Sequence, residues 1–335
     1  MRILLVKLSS LGDVVHTLPV VQDILAAMPH AQIDWVVEKA FASLLTQVKG
    51  VQRIIPCELR RWRKTFWTPK TRAEWRGFIK DLQTDSYDAV IDLQGLTKSA
   101  VVARLAKLTP NGKRYAMANQ TDGSGYEAPT RWVADVAIEL APHSHAVQRG
   151  RELAARALGY SIQNVPEYAF NYPSKVPADQ FKRAQAAHEK IVFIHGTSRP
   201  DKEWPLQNWV ELGLRMAASG NQVVLVHGTA AELRTSQAIA SQLPGSIVWP
   251  LLALDALTQE LAPCAGAVGV DSGVSHIAVA LGLAHVQIYN FDTAWRTGPL
   301  DSAHQTSVFA DSSPTVDAVW QAWQKCKKGL ECRVP

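Results

Sequence analysis

The stretch RILLVKLSSLGDVVHTLP, residues 2–19, joins two different patterns. Its apolar start, RILLV, is typical of a buried strand, because parallel strands covered on both faces are continuously hydrophobic. A polar turn containing Gly12 follows, and then a helical pattern begins. This order of strand, turn and helix favours an α/β fold, in which the turn lies at the carboxyl edge of the sheet. Asp13, directly behind Gly12, would lie at that edge.

The same alternation continues through the chain in two passages. Further strand-like runs in the first half are IDWVV, RIIP and DAVIDL, and those in the second half are KIVFIHG, NQVVLVHG, AVGV and HVQIYN. A length of 335 residues also favours two domains over one core. We therefore predict two Rossmann-like domains with parallel sheets. Neither half contains the GxGxxG pattern of dinucleotide-binding proteins, which disfavours a dehydrogenase.

The stretch SIQNVPEYAFNYPSKVPADQ, residues 161–180, has three prolines and little periodicity, so it suits a connection between domains. We place the boundary near residue 170, which gives domains 1–170 and 171–335. A last helix is predicted over about 313–328, with Ser313 as N-cap and Pro314 as the first helical residue. Packing back on the first domain is one option for this helix.

The composition is that of an ordinary soluble globular protein, with 47% hydrophobic and 19% charged residues. No apolar stretch approaches the ~20 residues of a transmembrane helix, and we expect the chain to stay in the cytoplasm. The positive charge is local: LRRWRKTFWTPKTRAEWRGFIK, residues 59–80, has eight Lys or Arg and the single acid Glu74. This segment therefore carries +7, and the remaining residues sum to −2.

This basic segment indicates an anionic partner. Trp62, Phe66 and Trp67 lie between its charges and would be costly on a surface without a partner, so an anionic amphiphile fits better than a merely solvated face. Nucleic acid is a weaker interpretation, because the rest of the chain has no extended basic stripe and no recognised nucleic-acid-binding module.

The ends of the later strands carry residues suited to phosphate. Thr197, Ser198 and Lys202 follow one strand, and Asp271, Ser272 and Gly273 lie where another strand enters a helix. Hydroxyls, a lysine and the free N–H groups of a helix N-terminus are donors for a diphosphate, so we predict a nucleotide site. The alternatives are an ordinary surface loop and ordinary helix caps.

Five motifs, in this order and at these spacings, resemble those of the lipopolysaccharide heptosyltransferases: VKLSSLGDVVHTLP, RRWRK, YDAVIDLQGLTKSA, TSRPDKEWP and DSGVSHIAVAL. The resemblance covers nearly the whole chain. SSLGDVVHTLP together with RRWRK is similar to the heptosyltransferase I type rather than to type II, which shares the general architecture.

The resemblance implies a GT-B fold, with two Rossmann-like domains facing a cleft. It also implies the inverting transfer of L-glycero-D-manno-heptose from ADP-heptose to the inner Kdo of Kdo-lipid A. ADP-heptose would be a substrate, with no cofactor and no metal, and the sequence indeed contains no D-x-D. The expected location is cytoplasmic, peripheral on the inner membrane. The alternatives are an ADP-heptose transferase acting later in the core and a non-catalytic nucleotide-sugar binding protein.

The resemblance also assigns site residues. Asp13 would be the general base and Lys202 would assist the leaving group. Donor-binding residues would be Gly12, Thr197, Ser198, Glu232, Asp271, Ser272, Gly273 and His276, and acceptor-binding residues would be Arg60, Arg61, Arg63 and Lys64. From the residues alone, an ordinary N-terminal helix cap behind a glycine turn is the favoured interpretation of Asp13, and the resemblance reverses that preference.

Overall fold

The computed structural model describes residues 1–163, 165–171, 189–300 and 302–331. The chain divides into two compact units, Met1–Asn171 and Tyr172–Pro335. Each unit has its own six-stranded parallel sheet in the described residues, so the predicted α/β class with two parallel sheets is confirmed. Residues 164 and 172–180 of the predicted connection lie outside the described residues.

The first unit has the sheet order β3-β2-β1-β4-β5-β6. Its strands are β1 (Arg2–Val6), β2 (Gln32–Glu38), β3 (Val51–Cys57), β4 (Tyr87–Asp92), β5 (Leu108–Met117) and β6 (Val136–Ile138). Its helices are α1 (Leu11–Ala27), α2 (Lys39–Leu45), α3 (Leu59–Thr65), α4 (Pro69–Leu82), α5 (Thr97–Leu105), α6 (Pro129–Val133) and α7 (Ala146–Leu158).

The sheet of the second unit has the order β12-β11-β10-β7-β8-β9. Read from β9 to β12, this order repeats that of the first sheet. Its strands are β7 (Lys190–Ile194), β8 (Gln222–Leu225), β9 (Ile247–Val248), β10 (Gly266–Val270), β11 (Ala284–Tyr289) and β12 (Gln305–Phe309). A 3₁₀ turn (Pro200–Lys202) precedes the helices α8 (Leu206–Ala218), α9 (Ala230–Ala240), α10 (Leu254–Leu261), α11 (Gly273–Ala280), α12 (Ala294–Thr297) and α13 (Val316–Glu331).

The continuous apolar runs of the sequence are the central strands. Ile3, Leu4, Leu5 and Val6 of β1 are fully buried between β2 and β4, and helices cover the sheet. Burial on both faces explains why these strands lack hydrophobic alternation. The sheet order changes direction between β1 and β4, and likewise between β7 and β10, and ligands of open α/β sheets bind at such points.

The outer strands β5 and β6 of the first sheet, and β9 and β12 of the second, were not predicted. β6 and β9 have only three and two residues, and β5 and β12 are partly exposed and mix polar with apolar residues, so none of the four shows the long apolar run by which the central strands are recognised. The strand β5 runs through Gly112 and ends at Met117.

The last helix begins later than we predicted. α13 starts at Val316, and Thr315 acts as its cap, because its Oγ1 accepts a hydrogen bond from the Ala318 N–H at 3.2 Å. Pro314 instead uses its carbonyl to accept a hydrogen bond from Trp204 Nε1 at 2.8 Å, which holds it outside the helix. α13 packs on β11 and β12 of its own unit, with Val319 and Trp323 in that core.

Candidate active-site residues in the two units

In the first unit, the loops after β1 and β4 are tied together where the sheet order changes direction. The side-chain oxygen of Gln94 accepts hydrogen bonds from the backbone N–H groups of Leu8 and Ser9, at 3.1 and 3.0 Å. Lys7 donates to the carbonyl of Leu93 at 3.0 Å. The loop that leads into α1 is therefore fixed by the neighbouring strand end.

Asp13 lies in the first turn of α1. Its carboxylate accepts hydrogen bonds from the backbone N–H and the hydroxyl of Ser10, at 2.9 and 2.8 Å, so Ser10 is the N-cap and Asp13, three residues later, completes a capping box. Lys7 Nζ is 3.7 Å from the other carboxylate oxygen. The side chain is still 36% exposed, which leaves room for a ligand.

The charges around Asp13 determine its ionisation. Burial alone would raise its pKa, but Lys7 and the two Ser10 hydrogen bonds outweigh burial and hold the pKa well below its usual range. Burial also lowers the pKa of Lys7, against the opposing effect of Asp13. Asp13, Lys7, His16 and Arg149 line one pocket of this unit. A carboxylate that stays anionic thus lies in a cationic pocket.

Two further cations meet at Ser9. Its hydroxyl lies 2.7 Å from Lys98 Nζ and 3.3 Å from Arg60 Nη2. Burial and the Arg60 charge lower the pKa of Lys98, because two like charges are close together. The charge of the nearby Glu38 opposes this effect and raises the pKa of Lys98. Burial raises the pKa of Glu38 itself. Two cations that share one neutral hydroxyl form a site suited to an anion.

The RRWRK motif lies in α3, and its residues make different contacts. Arg61 is bound by Glu58 at 2.9 Å and also by Glu74, so its charge is already balanced. Trp62 is buried and donates to Glu74 at 2.9 Å, which corrects our expectation that it lies on the surface. Within the described residues, Arg63 and Lys64 are exposed and have no carboxylate partner.

The aromatic residues that are exposed follow α3 directly. Phe66 is 50% exposed and Trp67 is 70% exposed. Together with Arg63 and Lys64 they form a surface that we call the basic aromatic patch. Cations around exposed aromatic side chains are typical of a surface that meets anionic amphiphiles.

In the second unit, the carboxyl ends of the neighbouring strands β10, β7 and β8 bring the predicted donor residues together. Lys202 Nζ is 2.5 Å from Asp271 Oδ2. The hydroxyl of Thr197 donates to the backbone carbonyl of Asp271 at 3.3 Å, while Ser198 beside it is exposed. The residues that follow β7 therefore contact those that follow β10.

Asp271 is buried and directly precedes α11. His276 Nε2 lies 3.3 Å from its Oδ1. Burial would raise the pKa of this carboxyl, but His276 and Lys202 outweigh burial and hold it well below its usual range. Ser272 caps α11 by accepting from the Ser275 N–H at 3.4 Å, and Gly273 is the first helical residue. The helix thus begins beside an anionic carboxylate with an ammonium partner.

Glu232 lies at the next strand end. Its carboxylate accepts from the Gly228 N–H at 2.6 Å, and Thr229 caps α9 by accepting from the Glu232 N–H at 3.2 Å. Gly196 makes this position possible, because a Cβ there would lie only 2.7 Å from Glu232 Cδ. The two turns that follow β7 and β8 therefore hold the carboxylate between them.

A family model described as glycosyltransferase family 9 (heptosyltransferase) matches residues 75–324. The chain belongs to this family. The expected resemblance is thereby confirmed, and the chain is a glycosyltransferase.

Named relatives of this family 9 chain agree with that assignment. Lipopolysaccharide heptosyltransferase 1 of Escherichia coli K12 is 38% identical over 293 residues, covering 86% of this chain and 88% of that protein. The structure of E. coli heptosyltransferase WaaC with ADP has a TM-score of 0.85 at 35% identity, covering 97% of this chain and all of that one. E. coli ADP-heptose LPS heptosyltransferase II shares the fold, at 22% identity and a TM-score of 0.76 over 99% of this chain and all of that one.

The structure distributes the predicted family 9 site residues over both units. Asp13 and Gly12 share the first turn of α1, and Arg60 is the residue of α3 that reaches the Asp13 loop through Ser9. Lys7, Gln94 and Lys98 were not predicted, although the quoted motifs contain all three. Their contacts require β1 and β4 to be neighbours, and no local pattern shows that.

Two searches concern the described residues only. In residues 1–163, 165–171, 189–300 and 302–331, no three His, Cys, Asp or Glu side chains cluster so as to hold a metal ion. Metal independence stays a prediction. Over the same residues, no helix has the length and the apolar character needed to cross a bilayer.

Proposed function

We propose that this chain transfers L-glycero-D-manno-heptose from ADP-heptose to the inner Kdo of Kdo-lipid A, with inversion. The observation that carries the proposal is the pair Lys202–Asp271 beside Thr197 and the start of α11. It combines an ammonium, a hydroxyl and a helix N-terminus, which are donors for a diphosphate, with a carboxylate that can bind sugar hydroxyls. The names of the family 9 relatives support the choice of substrates.

On the donor side, Lys202, Thr197 and Ser198 bind the diphosphate together with the backbone at Ser272 and Gly273. Asp271 and His276 contact the heptose. Glu232, held between two glycine turns, binds the ribose of the nucleoside. A carboxylate suits that role because it accepts hydrogen bonds from adjacent hydroxyls.

On the acceptor side, Asp13 is the base. The attacking Kdo hydroxyl gives its proton to the Asp13 carboxylate as its oxygen forms the bond to the anomeric carbon. The bond from that carbon to the phosphate oxygen breaks, and ADP leaves with the electron pair. Gly12 supports the turn that carries Asp13. The attraction between the Lys202 ammonium and ADP strengthens as negative charge develops on the leaving group. Lys202 therefore mainly stabilises the transition state.

Arg60 and Lys98 bind the acidic group of the acceptor beside Asp13, since both lie at the Ser9 hydroxyl of the same loop. Arg63 and Lys64 of the basic aromatic patch bind more distant phosphates. Arg61 has the least direct role because two glutamates already bind it. Phe66 and Trp67 contact the surface of the inner membrane from the cytoplasmic side, where the lipid of the acceptor is anchored.

A transfer assay separates the candidate functions. Purified chain is given ADP-heptose with either Kdo-lipid A or an already heptosylated core. Turnover with Kdo-lipid A alone is the expected result, and preference for the heptosylated core would identify a later transferase. Protection by ADP-heptose against thermal unfolding without any turnover would identify a nucleotide-sugar binding protein.

Lys202→Ala tests the leaving-group role. We expect the variant to lose turnover more than affinity for ADP-heptose, because the lysine interacts most strongly with charge that develops late. Steady-state kinetics with varied donor measure both quantities. A higher donor Michaelis constant with unchanged turnover would instead mean that Lys202 stabilises substrate and transition state equally.

A further inference from the structure

Behind Asp271, the strand β11 carries polar side chains that the proposed mechanism does not use. His285, Gln287 and Tyr289 alternate along the strand and therefore share one face of the sheet. All three are almost completely buried. A substrate cannot reach them, so a role for them in transfer has to act through another residue.

Gln287 links this strand to the donor site. Its Nε2 donates to the hydroxyl of Tyr289 at 2.9 Å and lies 3.5 Å from Asp271 Oδ1. The Tyr289 hydroxyl lies in turn 3.3 Å from Thr297 Oγ1. In the described part of the chain, Gln287 Oε1 has no hydrogen bond of normal geometry, although His285 on the same face of β11 interacts with the Gln287 side chain.

The two oxygens of Asp271 have different partners. Lys202 holds Oδ2 at 2.5 Å, whereas His276 and Gln287 face Oδ1 at 3.3 and 3.5 Å. A bound diphosphate competes with Asp271 for the ammonium of Lys202. Once Lys202 interacts with phosphate, a buried carboxylate needs other donors to remain anionic and in place. The donors on the Oδ1 side are the ones available.

We infer that Gln287, oriented by Tyr289, is a positioning residue that holds the Asp271 carboxylate toward the donor sugar while Lys202 binds the diphosphate. The long Gln287–Asp271 contact shortens when Lys202 turns to the phosphate. This inference rests on the proposed roles of Asp271 and Lys202. It assigns a role in transfer to Gln287, which does not contact the substrate.

The charged groups that face Asp271 come from two elements. Lys202 and Arg199 face it from the loop after β7, and His276 faces it from α11. From β11, burial raises the pKa of Tyr289 and lowers that of His285 to about 3, so both are neutral near pH 7. Because the pKa of Asp271 is already held well below its usual range, loss of the Gln287 donor leaves this carboxylate ionised and changes only its position, which turnover measures.

The experiment measures turnover and the donor Michaelis constant of the full chain at neutral pH. Gln287→Met keeps the volume but removes the donor. We expect turnover to fall about tenfold, the value of one hydrogen bond to a charged group, with a much smaller change in the donor Michaelis constant, because Lys202 still binds the diphosphate. Tyr289→Phe, which frees the Gln287 amide to rotate, should give a smaller change of the same sign.

Gln305→Met is the matched control. Gln305 lies on the adjacent strand β12 and donates to the carbonyls of Val279 and Leu283, at 2.9 and 3.1 Å, away from Asp271. Its loss should leave turnover unchanged even if the melting temperature falls. Normal turnover in both Gln287→Met and Tyr289→Phe would overturn the inference.

Asp271→Asn separates this inference from the proposed function. If Asp271→Asn transfers heptose normally, the assigned role of Asp271 in donor binding is wrong. If Asp271→Asn is slow but Gln287→Met and Tyr289→Phe behave like Gln305→Met, only the positioning role is wrong. Should Gln287→Met fail to fold, Tyr289→Phe decides the question by itself.

Discussion

Asp13 combines two roles that sequence alone presents as alternatives. Its carboxylate accepts both hydrogen bonds from Ser10, which is a capping arrangement, and it still has an exposed part in a cationic pocket. The position of a carboxylate behind a glycine turn could be predicted from the sequence. The partner that depresses its pKa, Lys7, could not, because a lysine at a strand end gives no sign of where its long side chain points.

Asp13→Asn tests which role matters for activity. The asparagine side-chain oxygen can still accept from the Ser10 N–H but cannot take the proton, so turnover should fall by a factor of about 10²–10⁴, with a lower melting temperature because Lys7 loses its ion pair. Ser10→Ala is the matched control. It removes one capping partner and should cost about 1 kcal/mol of stability, with a much smaller loss of turnover. Near-normal turnover in Asp13→Asn would exclude the general base.

Gly196→Ala tests the position of Glu232. The added Cβ would lie 2.7 Å from Glu232 Cδ, so the carboxylate must move away from its place between the two turns. Because only the end of a flexible side chain shifts, the melting temperature should change little while the Michaelis constant for ADP-heptose rises several-fold, about the effect of one lost hydrogen bond.

Gly77→Ala provides the comparison for that variant. Gly77 lies inside α4 with nothing within 4 Å of an added Cβ, so alanine there should slightly stabilise the helix and leave donor binding unchanged. Equal donor Michaelis constants for Gly196→Ala and Gly77→Ala would argue against a donor role for Glu232.

Among the secondary-structure elements, α3 shows how similar residues in one motif come to have different tasks. The positive charge of the motif is evident in the sequence. Which of its residues pack on α4 and which remain available to a ligand is not evident, since this depends on the side of α3 that faces α4. Buried Trp62 packs against Trp75 and Phe78 of α4, and Arg61 is held beside it by Glu74. Arg60 faces the Asp13 loop instead.

Arg60→Ala and Arg61→Ala should therefore differ. Loss of Arg60 removes a charge-assisted contact to the acceptor, so the acceptor Michaelis constant should rise about tenfold with the donor constant and the melting temperature unchanged. Loss of Arg61 leaves Glu58 and Glu74 without their shared cation and should mainly lower the melting temperature. The same kinetic defect in both variants would contradict this division.

The loop between β4 and α5 contains a buried acid that links stability to pH. Asp92 accepts hydrogen bonds from the N–H groups of Gln94 and Gly95 and from Ser99, yet burial outweighs them and raises its pKa to about 6. The folded chain therefore binds this proton more tightly than the unfolded chain does. Stability from this group is greatest at low pH and is lost as the pH rises from about 4 to about 6.

Asp92→Asn should remove that dependence. Asparagine can still accept from both N–H groups, and it carries no charge to bury. The variant should gain stability relative to the parent chain as the pH rises from 5 to 7, by about 1 kcal/mol. Melting temperatures of both proteins at the two pH values measure the change. A stability difference independent of pH would show that Asp92 is not protonated in this range.

Over the entire chain, the sequence predicts the repeated architecture better than the details of either site. Apolar runs locate the central strands, and the motifs at their ends locate Asp13 and the Lys202–Asp271 pair. The outer strands and the start of α13 could not be predicted, because strands that are very short or of mixed polarity, and the Trp204–Pro314 hydrogen bond, leave no periodic signal. Gln94 and Gln287 were missed for a similar reason, since each acts across a sheet on a distant segment.

The place of β1 between β2 and β4 also has a consequence for synthesis on the ribosome. β1 is complete at Val6, but its neighbour β4 ends only at Asp92, so the nascent chain lacks one of the two strands that cover β1 until that residue has left the exit tunnel. At about 5–20 residues per second, this delay lasts several seconds. During that time the apolar edge of β1 is open to pairing with other chains. We therefore expect nascent chains that end before β4 emerges to be held by chaperones.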